Sequence, residues 1–151
     1  MANKNQEIID ALKSSYWKEL ETVMNYIANS VHLDGVSAQE IKESLEKEVT
    51  DEIGHAQRLA ARIKELGGDI DGSEHFKPEQ KSLQPPQDTT NVKAVVEGVV
   101  EAEKDAVNGY QHIIKLTDGV DFVTQDLAVE LMSDEEKHLN LFEGFLKGIN
   151  R

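Results

Sequence analysis

One short stretch occurs twice in the chain, first as Asp51-Glu52-Ile53-Gly54-His55 and again as Asp134-Glu135-Glu136-Lys137-His138. Both copies have the form Asp-Glu-x-x-His, and they lie 83 residues apart. A glutamate and a histidine three positions apart share one face of an α-helix, so each copy can present a carboxylate oxygen and an imidazole nitrogen to one metal ion. The repeat therefore predicts a duplicated metal half-site.

A second pair of residues repeats upstream at almost the same offset. Glu19 and Tyr26 are followed, 84 residues later, by Glu103 and Tyr110. Two helices that carry Glu-x-x-His and two that carry one further glutamate each form the ligand pattern of a dinuclear site in a four-helix bundle. Each tyrosine lies two turns beyond its glutamate, where it can hydrogen-bond to a ligand. Six ligands are expected: Glu19, Glu52, His55, Glu103, Glu135 and His138.

The predicted ligands have distinct roles. Glu52 and Glu135 are expected to bridge two metal ions, and each histidine to bind one ion. Asp51 and Asp134 directly precede these bridges, so each can accept a hydrogen bond from the imidazole of the other copy. Four buried carboxylates would be costly without metal, whereas two divalent ions cancel their four charges.

Glu48 is a further candidate, because it lies one turn before Glu52 on the same helical face. The equivalent position in the second copy of the repeat is Leu131. Since Glu48 breaks the symmetry, we expect it to lie behind the ligands or on the path of incoming ions rather than to bind metal.

Composition limits the chemistry of the chain. Its 151 residues suffice for a single domain spanning 1–151, and its lack of cysteine excludes disulfides, iron–sulfur clusters, thiolate zinc sites and catalytic thiols. Oxygen and nitrogen ligands remain, and they suit iron or manganese. A net charge of −13 disfavours nucleic acid and anionic lipid as partners. The chain shows neither a secretory leader nor a membrane-length apolar run, so a soluble, cytoplasmic protein is expected.

Apolar residues recur at three- and four-residue intervals and predict an all-α protein with four long helices. Ser37 and Glu40 stand in the relation of a capping box at the start of the second helix, and Gly67-Gly68 is a stop signal at its end. The predicted helices span about 5–32, 37–67, 91–116 and 121–147.

The connections between the helices predict the topology. Short turns around Asp34-Gly35 and Asp118-Gly119 make each flanking helix pair an antiparallel hairpin. The segment 67–90 contains all three prolines and is much longer than a typical loop. Such a crossover can run from one end of the bundle to the other, so the second and third helices are expected to be parallel.

With these motifs the chain resembles the ferritin-like di-iron carboxylate proteins across all four helices. Its ligand pattern is most similar to that of bacterioferritins and of bacterioferritin-type, Dps-like miniferritins. The resemblance implies two iron ions per subunit, with manganese or zinc as substitutes, at a ferroxidase centre. That centre would oxidise Fe(II) with O₂ or H₂O₂ and feed an Fe(III) mineral inside a homo-oligomeric cage. The six ligands carried over from the family are those predicted above.

Three departures from the family pattern refine this expectation. Bacterioferritins bind haem through a methionine where this chain has Ile53, so no haem is expected. Only 13 residues follow His138, too few for the fifth helix of 24-subunit ferritins, which favours a twelve-subunit cage. Rubrerythrins share the ligand pattern but add a cysteine-ligated iron domain, which this chain lacks.

Two other functions remain open at this stage. The first is a non-mineralising di-iron or di-manganese peroxidase or oxidase of rubrerythrin type. The second is a DNA-protecting miniferritin shell, which is disfavoured because Lys4 is the only basic residue among the first twelve.

Overall fold

The computed structural model describes residues 2–151, so Met1, the first residue of the predicted domain, lies outside the described residues. Four long helices account for most of the chain, and the described residues contain no β-strand. The predicted all-α, four-helix fold is confirmed. The helices are α1 (Ala2–His32), α2 (Gln39–Glu65), α3 (Val92–Thr117) and α4 (Phe122–Ile149).

The start of α2 differs from the sequence prediction. A 3₁₀ turn spans Val36–Ala38, and α2 begins only at Gln39, without a side-chain cap. The predicted capping box of Ser37 and Glu40 is therefore wrong. Ser37 lies inside the turn, which is closed by a backbone hydrogen bond from the Ala38 N–H to the Gly35 carbonyl, so it does not occupy the cap position.

The other helix ends follow their local signals. Gly67 follows the C-cap residue Leu66 of α2 and adopts φ = +88°, a left-handed conformation that glycine reaches without steric cost. Asn91 caps α3 by accepting a hydrogen bond from the Ala94 N–H, and Asp121 caps α4 by accepting one from the Thr124 N–H. These caps satisfy backbone donors that would otherwise be free.

Contacts between helices establish their directions. Tyr26 and Glu19 of α1 meet Glu103 and Tyr110 of α3 respectively, so residue numbers rise in α1 as they fall in α3. Helix α1 is also antiparallel to α2, because Asn5 near its start reaches Leu66 beyond the end of α2. Helices α2 and α3 are therefore parallel, as predicted.

The crossover between α2 and α3 runs along the whole length of α1. Hydrogen bonds follow it in order: Asn5 with Leu66, Asn29 with Leu83, and Asp34 with Thr89. Midway, the buried Glu21 carboxylate accepts backbone hydrogen bonds from Glu79 and Gln80 at 2.9–3.0 Å. The long loop thus connects opposite ends of the bundle and allows the two hairpins to face each other.

Two apolar clusters fill the bundle, one towards each end. The first includes Tyr26, Leu33, Ile41, Leu45, Leu83, Val96, Val99 and Phe142. The second includes Ile8, Leu12, Leu59, Ile63, Tyr110, Ile113, Leu127 and Leu131. A layer of buried polar side chains lies between them. Within residues 2–151, none of the helices has the length and apolarity needed to cross a bilayer.

Close packing of the crossover on α3 predicts an effect of mutation at Gly98. A Cβ atom there would clash with the backbone carbonyl of Ser82 and lie 3.2 Å from its carbon. We expect Gly98→Ala to destabilise the fold by about 1–3 kcal/mol through overpacking. Gly144→Ala is the matched control, because that helical position has nothing within 4 Å. The control should be stabilising by up to about 1 kcal/mol. Denaturant unfolding followed by circular dichroism measures both, and equal stability of the two variants would contradict the packing argument.

Candidate metal centre

The polar layer between the apolar clusters contains seven buried acidic or histidine side chains. They are Glu19, Glu48, Glu52, His55, Glu103, Glu135 and His138. Six of these are the ligands predicted from the sequence, and the structure brings all six together. Glu48 is the seventh.

Helical geometry explains how two helices supply five of the seven side chains. On α2, Glu48, Glu52 and His55 follow at intervals of four and three residues, which place them on one face. On α4, Glu135 and His138 are three residues apart and share a face in the same way. Since α2 and α4 are antiparallel, the two Glu-x-x-His motifs meet head to tail.

One group of potential ligand atoms surrounds His55. Atoms of Glu19, Glu52, His55 and Glu135 all lie within 4.8 Å of one another. The His55 Nδ1 atom is 2.8 Å from Glu135 Oε1 and 3.5 Å from Glu19 Oε2. The spacing allows a single cation to contact all four residues.

A second group surrounds His138. Atoms of Glu48, Glu52, Glu103 and His138 also lie within 4.8 Å of one another. The His138 Nδ1 atom is 2.5 Å from Glu48 Oε2 and 3.1 Å from Glu52 Oε1. Glu103 Oε1 follows at 3.8 Å. Like the group at His55, this group consists of three glutamates and one histidine.

Two glutamates connect the groups. Glu52 belongs to both. Glu135 directs Oε1 to within 2.8 Å of His55 Nδ1 and Oε2 to within 3.9 Å of His138 Nδ1. The two imidazole rings stack with centroids 6.4 Å apart and planes inclined by 15°. These positions suit two neighbouring cations with Glu52 and Glu135 between them.

Two aspartates hold the far side of the imidazoles. His55 Nε2 lies 3.0 Å from Asp134 Oδ2, and His138 Nε2 lies 3.2 Å from Asp51 Oδ2. Each contact crosses from one Glu-x-x-His copy to the other. With Nε2–H donating to a carboxylate, the ring orientation is fixed and Nδ1 faces the glutamates.

Two buried tyrosines donate hydrogen bonds, in a crossed arrangement, to Glu103 and Glu19, which each belong to a single ligand group and are called the terminal glutamates below. The Tyr26 hydroxyl of α1 donates to Glu103 Oε1 of α3 at 2.5 Å. The Tyr110 hydroxyl of α3 donates to Glu19 Oε1 of α1 at 2.7 Å. Burial and the neighbouring carboxylates raise the pKa of both phenols well above the usual value, so both remain protonated donors.

Protons compensate the buried charges when no metal is bound. Burial lowers the pKa of both imidazoles, but adjacent carboxylates outweigh it and raise the pKa to about 10 for His55 and about 11 for His138. Burial, reinforced by Glu19, raises the pKa of Glu52 and Glu135 well above the usual range. The site therefore holds protons that divalent cations would displace.

The unpaired polar atoms of the cluster show that its residues fit a metal ion. Eight of its buried polar atoms have no hydrogen-bond partner within the described part of the chain, and every one of the seven residues contributes at least one. Such orphaned groups are costly unless an ion or proton compensates them. These atoms converge at the spacing of metal ligands without forming hydrogen bonds with one another, so the cluster is suited to binding cations.

Glu48, which the sequence did not assign as a ligand, also lies in the cluster. The repeat argued against it as a ligand because its counterpart is Leu131. The structure places its carboxylate among the candidate ligand atoms at His138. The signal that could have identified it is its position one turn before Glu52 on the same face.

Comparisons with known proteins agree with this architecture. The family described as Ferritin, ferritin-like domain, matches residues 9–151. The DNA protection during starvation protein of Pyrococcus furiosus is 28% identical over 146 residues, which cover 95% of this chain and 78% of that protein. The bacterioferritin of Desulfovibrio desulfuricans is 24% identical over 142 residues, covering 93% and 75%.

A solved structure resembles the chain over nearly its full length. The bacterioferritin-related protein of Bacteroides fragilis, described as a dodecameric thioferritin, superposes with a TM-score of 0.87 at 26% identity. The match covers 97% of this chain and 88% of that one. The fold, the crossover and the family match over residues 9–151 together show that this chain belongs to the ferritin-like family.

Proposed function

We propose that this protein is a ferroxidase that oxidises Fe(II) at a dinuclear centre within each subunit and stores Fe(III) in a homo-oligomeric cage. The observation that supports it most strongly is the pair of buried ligand groups at His55 and His138, joined by Glu52 and Glu135. The six ligands predicted from the sequence and Glu48 make up the proposed site.

Two cations fit the charge of this site better than one or none. Five glutamates converge in the bundle core, and the imidazole Nδ1 atoms face them. Two divalent ions would replace the protons that now compensate these groups, and the low local dielectric strengthens their attraction to the carboxylates.

The ligand chemistry favours iron as the substrate. Carboxylate and imidazole ligands without any thiolate suit Fe(II) and Mn(II), with Zn(II) as a possible substitute. Two Fe(II) ions together can supply two electrons, so two Fe(II), one O₂ and two protons give two Fe(III) and one H₂O₂. With H₂O₂ as oxidant, two Fe(II) and two protons give two Fe(III) and two waters.

The protein's own contribution is to hold and isolate these ions. The aspartates fix both imidazoles, and the tyrosines hold the terminal glutamates. The two apolar clusters exclude water from either end of the polar layer. The ligands are therefore positioned before metal arrives, so little reorganisation is needed on binding.

A cage is the assembly that we propose, with twelve subunits. The similar protein of Bacteroides fragilis is dodecameric. A net charge of −13 suits the storage of cations and opposes binding to DNA, so we do not assign a DNA-binding role. Ile53, where the bacterioferritin resemblance would place a haem methionine, has no group that binds iron, so we propose that the cage lacks haem there. We propose the cytoplasm as the compartment.

The first prediction concerns turnover. Wild-type protein should oxidise Fe(II) much faster than buffer, and His138→Ala should slow the reaction by about 10-fold or more, because even partners behind the ligands contribute about that much. Stopped-flow absorbance measures the rate. The exposed His112→Ala is the matched control and should oxidise Fe(II) as the wild type does. Equal rates for wild type, His138→Ala and buffer would refute ferroxidase activity.

The second prediction concerns assembly and separates the storage protein from a non-mineralising oxidase. A twelve-subunit cage has a mass of about 200 kDa, given a chain of 16.9 kDa. Native mass spectrometry should find that species, with an electron-dense core after aerobic iron loading. A dimer that turns over Fe(II) without forming a core would instead support a rubrerythrin-type peroxidase or oxidase.

The third prediction concerns pH. Both histidines bind a proton more tightly in the folded chain than in the unfolded one, so their stabilisation is complete below about pH 6.5. It should decline as the pH rises above about 6.5 and be lost by about 10 for His55 and about 11 for His138, their folded-state pKa values. Glu52 and Glu135, whose pKa values are also raised, act in the same direction.

Thermal unfolding of metal-free protein between pH 6 and pH 10 measures this decline. Replacing both histidines by glutamine should flatten the curve, which separates their effect from general repulsion among surface carboxylates. Zn(II) should restore stability at high pH because it takes the place of the protons. Metal-free protein that gains stability across this range would contradict the assignment of the protons.

A further inference from the structure

The two halves of the centre differ at one position. Glu48 is 6% exposed and lies beside His138, whereas Leu131, its counterpart in the repeat, is 0% exposed and packs in the second apolar cluster. All other ligand positions are matched between the halves. The repeat is therefore symmetric in six ligands and asymmetric in a seventh side chain.

The contact between Glu48 and His138 indicates how the Glu48 carboxylate would be compensated when metal is bound. Glu48 Oε2 is 2.5 Å from His138 Nδ1 and has no hydrogen-bond partner among the described residues. His138 Nε2 is already committed to Asp51. If Nδ1 binds a cation, it carries no proton and cannot donate to Glu48. That buried carboxylate oxygen is then compensated only if it binds the same cation or if Glu48 takes up a proton, and binding the cation also satisfies the ligand spacing of the group.

The two metal positions would then differ in the number of carboxylate ligands. Glu52 belongs to both groups, and the Oε2 atom of Glu135 lies 3.9 Å from His138 Nδ1. With both glutamates between the ions, as proposed, the position at His55 has Glu19 and His55 of its own. The position at His138 has Glu103, His138 and Glu48. An additional carboxylate increases the attraction for a cation, and the number of charged ligands tunes the affinity of oxygen-ligand sites.

We propose that Glu48 is a terminal ligand of the ion at His138, and that this position binds a divalent cation first and more tightly than the position at His55. The inference rests on the proposed dinuclear centre and deepens it, because it makes the two ions inequivalent. The iron at the tighter position would stay in place while the other exchanges more readily with the stored pool.

Anaerobic titration with Co(II) tests this directly, because its visible absorption reports each bound ion and no oxidation takes place. Wild-type protein should bind two ions per subunit in two separable steps. Glu48→Leu copies the residue of the other half and should weaken the tighter step roughly 10–100-fold, so that the two steps converge. Glu48→Gln keeps the size of the side chain and should have the same effect.

Three further variants assign the steps. His138→Ala should remove the tighter step, His55→Ala the weaker one, and Glu52→Ala both, because a bridging carboxylate serves both ions. Glu46→Gln is the matched control for Glu48→Gln, since Glu46 lies two residues away on α2 and is exposed. It should bind both ions as the wild type does. Circular dichroism verifies the helical fold of every variant.

The possible outcomes separate this inference from the proposed function. Two tight ions in wild type with unchanged binding in both Glu48 variants would overturn the inference alone. Slower loading with unchanged equilibrium constants would assign Glu48 to the path of incoming ions and would also overturn it. Loss of the tighter step in His55→Ala would reverse the order of the positions. Wild-type protein that binds no Co(II) tightly would overturn the dinuclear centre itself.

Discussion

Burial of five glutamate side chains in the middle of a four-helix bundle is the constraint on which the rest of the structure depends. A carboxylate loses its hydration in such a place, and without compensation the cost exceeds what a single apolar contact returns. Protons, two imidazoles and two tyrosine hydroxyls supply that compensation in the metal-free chain. The apolar clusters at either end must therefore supply most of the folding free energy, because the polar layer contributes little by itself.

The polar layer nevertheless determines the positions of the helices relative to one another along the bundle axis. The hydrogen bonds that hold the ligands connect different helices: Tyr26 of α1 with Glu103 of α3, and His55 of α2 with Asp134 of α4. A shift of one helix by a turn would leave several of these groups buried and unpaired, whereas the apolar clusters would tolerate small shifts. The site thus selects a single packing among those that the apolar faces allow.

The crossover makes this arrangement possible. It runs beside α1 and returns the chain to the opposite end of the bundle, so that α3 starts parallel to α2. The buried Glu21 carboxylate binds its backbone midway, and Gly98 lets it approach α3 closely. The two hairpins can then face each other about a pseudo-twofold axis. Within that symmetry, one half of the repeat has Glu48 beside His138 where the other half has the buried Leu131, and our proposal of two unequal metal positions rests on this difference.

The sequence by itself determined the four helices, the crossover and the six residues that converge on the centre. Helical periodicity is visible within each segment, and the 83-residue repeat is visible as a fixed distance along the chain, so neither requires knowledge of tertiary contacts. Its one local failure was the capping box at Ser37, where backbone pairing in a 3₁₀ turn replaced the side-chain cap. Only the tertiary structure decided that Glu48 contacts His138 and that each tyrosine holds the opposite glutamate. Spacing along one helix fixes the face on which a residue lies, but not which side chain of another helix it meets, since that depends on how far the helices slide and rotate as their apolar faces pack.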